Sequence, residues 1–150
     1  MSNRELGKVL EIFSATKGSS GLPRPKVEKL VLIEGHGIQN DKFAGDKLDK
    51  TVMVIGLKSY SIAQENGIKL ENGSYGENII FDFDPHELSI GDKLKIGDSS
   101  IEITERCTIC NHLSVFDTKL PKLIRKHRGL YCKIIKSGTI TKDSTVQLYS

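Results

Sequence analysis

The stretch Ser100-Ile-Glu-Ile-Thr-Glu-Arg-Cys-Thr-Ile-Cys-Asn-His-Leu113 joins a strand pattern to a cluster of reactive side chains. Ile101 and Ile103 alternate with polar residues, which predicts a strand with one apolar face and one polar face. Two of the chain's three cysteines and one of its four histidines follow within six residues. A thiol beside a cation such as Arg106 has a lowered pKa and a larger fraction of thiolate, the form that attacks and binds metals. We therefore expect the reactive centre where this strand ends.

Short strands separated by turn residues extend on both sides of this stretch. Lys93–Ile96 alternates cleanly, and Gly97-Asp98 predicts a hairpin turn that returns the chain into the strand at 101–104. Further strands are predicted at 8–15, 27–33, 51–55, 78–83, 130–136, 139–141 and 145–149, with short helices at 57–66 and 121–126. Because the strands do not alternate regularly with helices, we predict a mainly β fold: a bent or closed antiparallel barrel with a few short helices.

The length and composition are those of one globular domain. A chain of 150 residues, 37% hydrophobic and 27% charged, is expected to form a single domain over residues 1–150. It has no apolar run near the roughly 18 residues of a membrane span and no apolar N-terminal signal region. We therefore expect a cytoplasmic protein with reduced cysteines and no membrane partner. The net charge of +3 tolerates an anionic ligand but falls short of a nucleic-acid-binding surface.

The cysteines allow several interpretations. Cys107 and Cys110 form a C-x-x-C pair, but a thioredoxin-like redox pair requires a βαβ setting that this pattern lacks. A zinc site could use Cys107, Cys110 and His112, completed by Cys132 or His36. Cys107 is otherwise expected to face the core as a small hydrophobic residue. Cys110, displaced past the strand end among polar residues, is the candidate reactive thiol.

Two glycine-rich stretches are further candidates for a binding site. In Gly35–Gly45, paired glycines around a histidine let the backbone approach a ligand closely, although such a histidine is also a common turn residue. In Gly73–Ile79, a Gly-Glu-Asn sequence precedes a predicted strand and has an ordinary turn as its alternative. We predict that one cleft is lined by His36, Asp41, Lys42, Gly76, Glu77, Asn78 and Arg106.

A basic segment precedes the predicted strand at 130–136. It contains Lys119, Lys122, Arg125, Lys126, His127 and Arg128. The favoured interpretation is a solvated helix face, and the alternative is a basic rim that attracts a phosphate or a pyranopterin. Since aromatic residues do not alternate with these cations, a nucleic-acid platform is not expected.

In order along the chain, these pieces resemble the MOSC domain, the module at the C-terminus of molybdenum cofactor sulfurases. The resembling segments are His36-Gly-Ile-Gln-Asn-Asp41-Lys-Phe-Ala-Gly45, Gly73-Ser-Tyr-Gly-Glu-Asn-Ile79, Leu88-Ser-Ile-Gly-Asp92, Ile101-Glu-Ile-Thr104, Gly129-Leu-Tyr131 and Gly138-Thr-Ile-Thr-Lys-Asp143. The resemblance implies a β-rich, barrel-like fold and one key cysteine that carries sulfur or binds molybdenum. By its spacing from Thr104, that cysteine is Cys110.

The resemblance also implies a function. It indicates a small stand-alone protein that binds the molybdenum cofactor and either transfers sulfur or reduces N-hydroxylated compounds through Cys110, with Arg106 beside the anionic ligand. A separate electron-donor or sulfur-donor protein is then expected, while pyridoxal phosphate is not implied for this domain alone. The alternatives are a non-catalytic module that delivers the cofactor and a small zinc protein using Cys107, Cys110 and His112.

Overall fold

The computed structural model describes residues 3–16, 18, 22–45, 47–108 and 111–149, with only the backbone of Asn111 and His112. The strands in this part of the chain are β1 Asn3–Ile12, β2 Lys29–Ile33, β3 Gly37–Ile38, β4 Val52–Gly56, β5 Ile79–Phe81, β6 Lys93–Ile96, β7 Ser99–Arg106, β8 Leu130–Lys136, β9 Gly138–Thr141 and β10 Thr145–Tyr149. The helices are α1 Leu57–Glu65 and α2 Leu120–Ile124, and 3-10 turns occur at Leu48–Lys50, Pro85–Glu87, Asn111–Val115 and Arg125–His127.

Seven strands close into a barrel in the order β1-β10-β6-β7-β8-β4-β5, and β5 returns to pair with β1. The strands β3, β2 and β9 form a separate three-stranded sheet. The predicted mainly β, closed-barrel fold is therefore confirmed. Neither helix in the described residues has the length and apolar character needed to cross a membrane.

Strand β7 occupies the interior of the barrel wall, between β6 and β8 and antiparallel to both. Its apolar residues Ile101 and Ile103 are buried, as their alternation predicts. The predicted hairpin from β6 to β7 also forms, and Gly97 at its turn has φ of 59°, a left-handed conformation that favours glycine. Strand β7 thus carries its C-terminal residues from the core of the barrel to one end.

One strand pair departs from the antiparallel prediction. Strands β4 and β5 run parallel, with Val54 opposite Ile79. Parallel neighbours cannot be joined by a tight turn, and here α1 and the loop after it form the crossover. Strand β4 is buried along its whole length, as expected for a strand covered on both faces.

The crossover creates a second hydrophobic core outside the barrel. The barrel interior holds one cluster of buried residues, including Val54, Phe81 and Leu94. The second cluster contains residues from the barrel wall and both helices: Phe13, Ile55, Ala63, Ile68, Tyr75, Ile80, Leu113, Leu120 and Ile124. Both helices are therefore fixed against the β4–β5 wall, which also fixes the segment between α2 and β8.

Candidate functional site

A basic cleft of about 700 Å³ opens at the end of the barrel where β7 finishes. Among the described residues, its wall contains Lys58, Asp84, His86, Glu87, Arg106, Cys107, Thr108, Arg125, Lys126, His127, Arg128 and Gly129. Five of these residues are lysine or arginine and two are acidic, so the cleft favours a negatively charged ligand. The end of β7, the start of α1, the turn after β5 and the segment before β8 all contribute.

Three hydrogen bonds to backbone carbonyl groups hold the walls of the cleft together. The Cys107 backbone N–H donates to the Gly129 carbonyl at 2.9 Å, which extends the β7–β8 pairing one step beyond the strands. On the opposite side, the Ser59 hydroxyl donates to the His127 carbonyl at 2.5 Å. The Tyr75 hydroxyl donates in turn to the Ser59 carbonyl at 2.8 Å. The start of α1 and the segment before β8 are thereby joined.

Arg128 lies in the cleft wall but is 2% exposed, so its charge must be satisfied by neighbouring groups. Its guanidinium donates to the Tyr75 carbonyl at 2.5 Å. It also lies 6.0 Å from the centroid of the Tyr75 ring. A buried guanidinium in a ligand cleft provides a fixed positive charge that water screens weakly.

Asp84 joins two histidines in the same cleft. Its Oδ1 lies 3.1 Å from His86 Nδ1 and its Oδ2 lies 3.5 Å from His127 Nε2. Oδ1 also accepts from the His86 backbone N–H at 3.0 Å, so Asp84 caps the 3-10 turn that carries His86. Pro85 suits the first position of this turn because its φ is fixed and it needs no hydrogen-bond acceptor there.

Gly56 allows this turn to pack against the end of β4. A Cβ atom at this position would collide with the Phe83 carbonyl oxygen and lie 2.8 Å from Pro85 Cδ. The absence of a side chain at Gly56 therefore lets the chain from Phe83 to His86 approach the start of α1. This close approach helps to place His86 in the cleft wall.

The environment of His86 favours its neutral form. Burial lowers the pKa of the imidazole below its ordinary 6.5, and the neighbouring His127 and Arg106 lower it further. The hydrogen bond and charge of Asp84 act in the opposite direction. At neutral pH, His86 is therefore an uncharged imidazole in a cleft rich in cations.

The two cysteines in the described residues have different surroundings. Cys107 is 3% exposed, and its Sγ donates to the Tyr131 hydroxyl at 3.4 Å. It thus packs as the sequence predicts, yet it also contributes to the cleft wall. Cys132 lies inside the barrel, and burial raises the pKa of its thiol strongly. Its side chain is inert by the usual criteria for cysteine reactivity.

We predict that brief exposure to iodoacetamide at neutral pH modifies Cys110 first and Cys132 last. Each unit by which a thiol pKa rises lowers its thiolate fraction about tenfold, and the Cys132 thiol is also inaccessible. The rates can be measured by peptide mass spectrometry of samples quenched at intervals. Modification of Cys132 before Cys110 in folded protein would contradict this prediction.

Asp41 is buried and is not among the described residues that line the cleft, although the charge of its partner Arg24 interacts with that of Arg128 in the cleft wall. Its carboxylate accepts from the Ser14 hydroxyl at 2.7 Å and from the Phe43 backbone N–H at 3.0 Å. It also pairs with Arg24 at 3.4 Å, and both side chains are buried. Asp41 therefore holds the end of β1 to the following loops, a structural role that its sequence pattern did not reveal.

Glu77 and Asn78 are likewise engaged by the protein itself. The fully buried Glu77 carboxylate accepts from the Tyr60 hydroxyl at 2.5 Å and from the backbone N–H groups of Gly73 and Tyr75. Burial raises the pKa of Glu77, while these hydrogen bonds oppose the shift. The Asn78 side chain accepts from the Met53 N–H and donates to the Phe13 carbonyl, which ties β4 to β1.

The remaining predicted binding residues divide between the cleft and other surfaces. Arg106 lines the cleft and donates to the His86 carbonyl at 3.4 Å. His36, Lys42 and Gly76 are not among the described residues that line the cleft, so the structure does not bring them together with Arg106 there. The first two lie beside the three-stranded sheet, where His36 is exposed. Cys110 lies outside the described residues, so its role stays a prediction.

The structure favours the alternative interpretation of the basic segment, a basic rim, over the solvated helix face. Its residues 125–128 line the cleft, and Arg128 is buried.

The pair Asp84 and His86 is not identified by the sequence analysis. An aspartate followed by proline is a local signal for a capped turn, but its contact with His127 depends on tertiary packing. The described residues contain no group of three or more potential metal ligands, although Cys110 and the His112 side chain are outside that search.

Comparison with known proteins identifies the family of this chain. A family model for the MOSC domain matches residues 35–147. No curated protein matches the sequence. The matched span begins after β2, includes β3 through the first three residues of β10, and contains every described residue of the cleft wall.

Several solved structures share the fold. The YuaD protein from Bacillus subtilis aligns with a TM-score of 0.81 at 12% identity, covering 99% of both chains. YiiM from Geobacillus stearothermophilus aligns with a TM-score of 0.69 at 16% identity, and the alignment covers 99% of this chain and 76% of the YiiM chain. YiiM from Escherichia coli aligns with a TM-score of 0.66 at 18% identity, and the alignment covers 95% of this chain and 70% of the YiiM chain. At these identities the likeness concerns the fold.

Proposed function

We propose, since this chain belongs to the MOSC domain family, that it binds the molybdenum cofactor in the basic cleft and uses Cys110 as the thiolate that carries sulfur or binds molybdenum. The observation that carries the proposal is the position of the cleft at the end of β7. Arg106, Cys107 and Thr108 line it, and Cys110 follows Thr108 by two residues. The family's key cysteine and the concentration of positive charge therefore belong to one segment of chain.

The chemistry of the cleft fits this cofactor. A molybdenum pterin has a soft metal centre at one end, which suits a thiolate, and an anionic phosphate at the other. Arg106, Arg125 and Lys126 provide exposed donors at the cleft, and the buried Arg128 adds a positive charge in its wall. Arginine forks suit phosphate because they can donate two parallel hydrogen bonds. The bound group would supply two-electron redox or sulfur chemistry at its metal.

The residues of the chain would contribute binding, orientation and control of water. Cys107 lines the cleft and its thiol donates to the Tyr131 hydroxyl at 3.4 Å, and burial raises the pKa of that hydroxyl. That hydroxyl therefore stays protonated at neutral pH and accepts a hydrogen bond from Cys107.

Two functional classes remain compatible with this binding site. An enzyme would turn over an N-hydroxylated compound or transfer sulfur, and it would need a separate electron-donor or sulfur-donor protein. A delivery module would bind the cofactor and release it to a client enzyme without turnover. Steady-state reduction with a supplied flavin reductase or iron–sulfur electron carrier distinguishes the two classes.

We predict that protein purified from a host that makes the cofactor contains molybdenum and no stoichiometric zinc. Elemental analysis by inductively coupled plasma mass spectrometry measures both metals in the same sample. The zinc alternative predicts the reverse, together with unfolding when a chelator is added, because structural zinc contributes directly to folding. Stoichiometric zinc without molybdenum would therefore contradict the proposal.

A further inference from the structure

One nitrogen atom in the cleft wall has no hydrogen-bond partner in the described part of the chain. Among the described residues, His86 Nε2 is the buried side-chain nitrogen or oxygen without a hydrogen bond. The His86 side chain is 5% exposed, yet the residue lines the cleft. The great majority of buried polar atoms in folded proteins are hydrogen-bonded, so an exception requires an explanation.

The contacts of Asp84 determine what this atom can do. Because a carboxylate only accepts, its contact with His86 Nδ1 places the imidazole proton on Nδ1. In the neutral ring, Nε2 then has no proton and is a hydrogen-bond acceptor. The His86 backbone N–H and His127 Nε2 hold the Asp84 carboxylate in place. The Nδ1 contact therefore determines the tautomer of His86, and the other two contacts hold Asp84 in the position that makes it.

The charges around His86 make an acceptor unusual in this position. The titratable and charged groups that line the cleft with it are Asp84 and Glu87 on its own turn, Arg106 and Cys107 at the end of β7, Arg125, Lys126, His127 and Arg128 before β8, and Lys58 from α1. Five of them are lysine or arginine and attract anions, but an anion that carries no proton would place an oxygen lone pair against the lone pair of Nε2. An anion that also carries an O–H or N–H group can satisfy both.

We propose that His86 makes the cleft selective for ligands that combine negative charge with an O–H or N–H donor, which donates to His86 Nε2. Asp84 is the positioning residue that keeps Nε2 unprotonated. The inference rests on the proposed function in that both place the ligand in the same cleft, and it adds a rule for which ligands bind. A site with a buried polar group rejects an analogue that leaves this group unpaired, often strongly.

Phosphate and sulfate test this rule, because phosphate retains at least one O–H at pH 7.5 and sulfate has none. The full chain without cofactor, labelled with 15N, is titrated with each ion at constant ionic strength while the imidazole nitrogens are followed by NMR. We expect phosphate to bind at least about tenfold more tightly than sulfate, as the loss of one buried hydrogen bond implies. Phosphate should also move the Nε2 resonance of His86, and the neutral ring should carry its proton on Nδ1.

Two variants separate selectivity from folding. His86→Phe removes the acceptor, and Asp84→Asn removes the carboxylate that keeps the imidazole proton on Nδ1. Either change should bring the phosphate-to-sulfate affinity ratio close to one, while sulfate still binds. Asp49→Asn, at an exposed position outside the cleft wall, is the matched control and should keep the ratio. Because burial lowers the His86 pKa, the ring stays neutral at the pH of 7.5 used for the comparison.

Equal affinity for the two ions in the wild type, an unchanged ratio in Asp84→Asn, or a proton on Nε2 of the neutral ring would overturn the inference. So would failure of both ions to bind. The molybdenum content of cofactor-loaded protein is measured separately, so the cofactor assignment can fail while the selectivity rule holds, and the reverse.

Discussion

Replacing Asp41 with alanine is expected to lower the free energy of unfolding by about 3–5 kcal/mol, because it leaves a buried guanidinium without its partner. Arg24 pairs with Asp41 at 3.4 Å, and its side chain is 8% exposed. Burial lowers the pKa of Arg24, which shows the cost of keeping this cation in the interior, and Asp41 opposes the shift. The same carboxylate also holds Ser14 and Phe43. Urea denaturation followed by circular dichroism gives the free energy.

The control for this prediction is Asp49→Ala, at an exposed position, which should change the free energy of unfolding by no more than about 0.5 kcal/mol. Combining Asp41→Ala with Arg24→Leu should recover part of the loss, because removing both charges ends the burial of an unpaired one. A loss below about 1 kcal/mol for Asp41→Ala alone would show that Arg24 finds another partner or reaches solvent.

The second large effect is expected at the mouth of the cleft. Replacing both Arg106 and Lys126 with alanine should lower cofactor retention at least about tenfold at low salt, since each charge-assisted hydrogen bond contributes about 1.5–3 kcal/mol. Both residues are exposed, so the fold should be unaffected. Retention is measured as cofactor per polypeptide after gel filtration. Because salt screens exposed charges, the difference from wild type should narrow as the salt concentration rises toward about 1 M.

A matched double variant, Lys29→Ala with Lys69→Ala, removes the same charge from exposed positions outside the cleft wall. It should retain the cofactor as the wild type does. If it loses as much cofactor as the cleft variant, net charge rather than the cleft determines retention. Equal retention by the cleft variant and the wild type would instead exclude these two cations from the binding site.

The barrel could be predicted because its strands carry local signals. Alternation at Ile101 and Ile103 and the turn at Gly97-Asp98 specify the β6–β7 hairpin without help from distant residues. The parallel pairing of β4 with β5 could not be predicted in this way, because a continuous apolar run such as Val52–Gly56 suits either direction. Its direction follows from the crossover through α1.

The candidate site was harder to predict than the fold. Glu77 and Asn78 resemble a ligand-binding turn in sequence, but their side chains satisfy backbone groups that only the folded chain brings near them. Asp84 and His86 show the opposite case: no sequence motif marks them, yet both line the cleft. Their significance depends on packing against Gly56 and on His127 from a distant segment. Polar residues are therefore ambiguous until their partners are known.

The most direct test of the central claim is the molybdenum content of Cys110→Ser, expressed beside the wild type in a host that makes the cofactor. Molybdenum per polypeptide is measured after gel filtration, with circular dichroism to verify that the fold is unchanged. If Cys110 provides the thiolate for the cofactor in the basic cleft, the variant should fold normally and retain less than about one tenth of the wild-type molybdenum, because an alcohol is a poor ligand for a soft metal centre. Wild-type molybdenum content in Cys110→Ser would contradict the account.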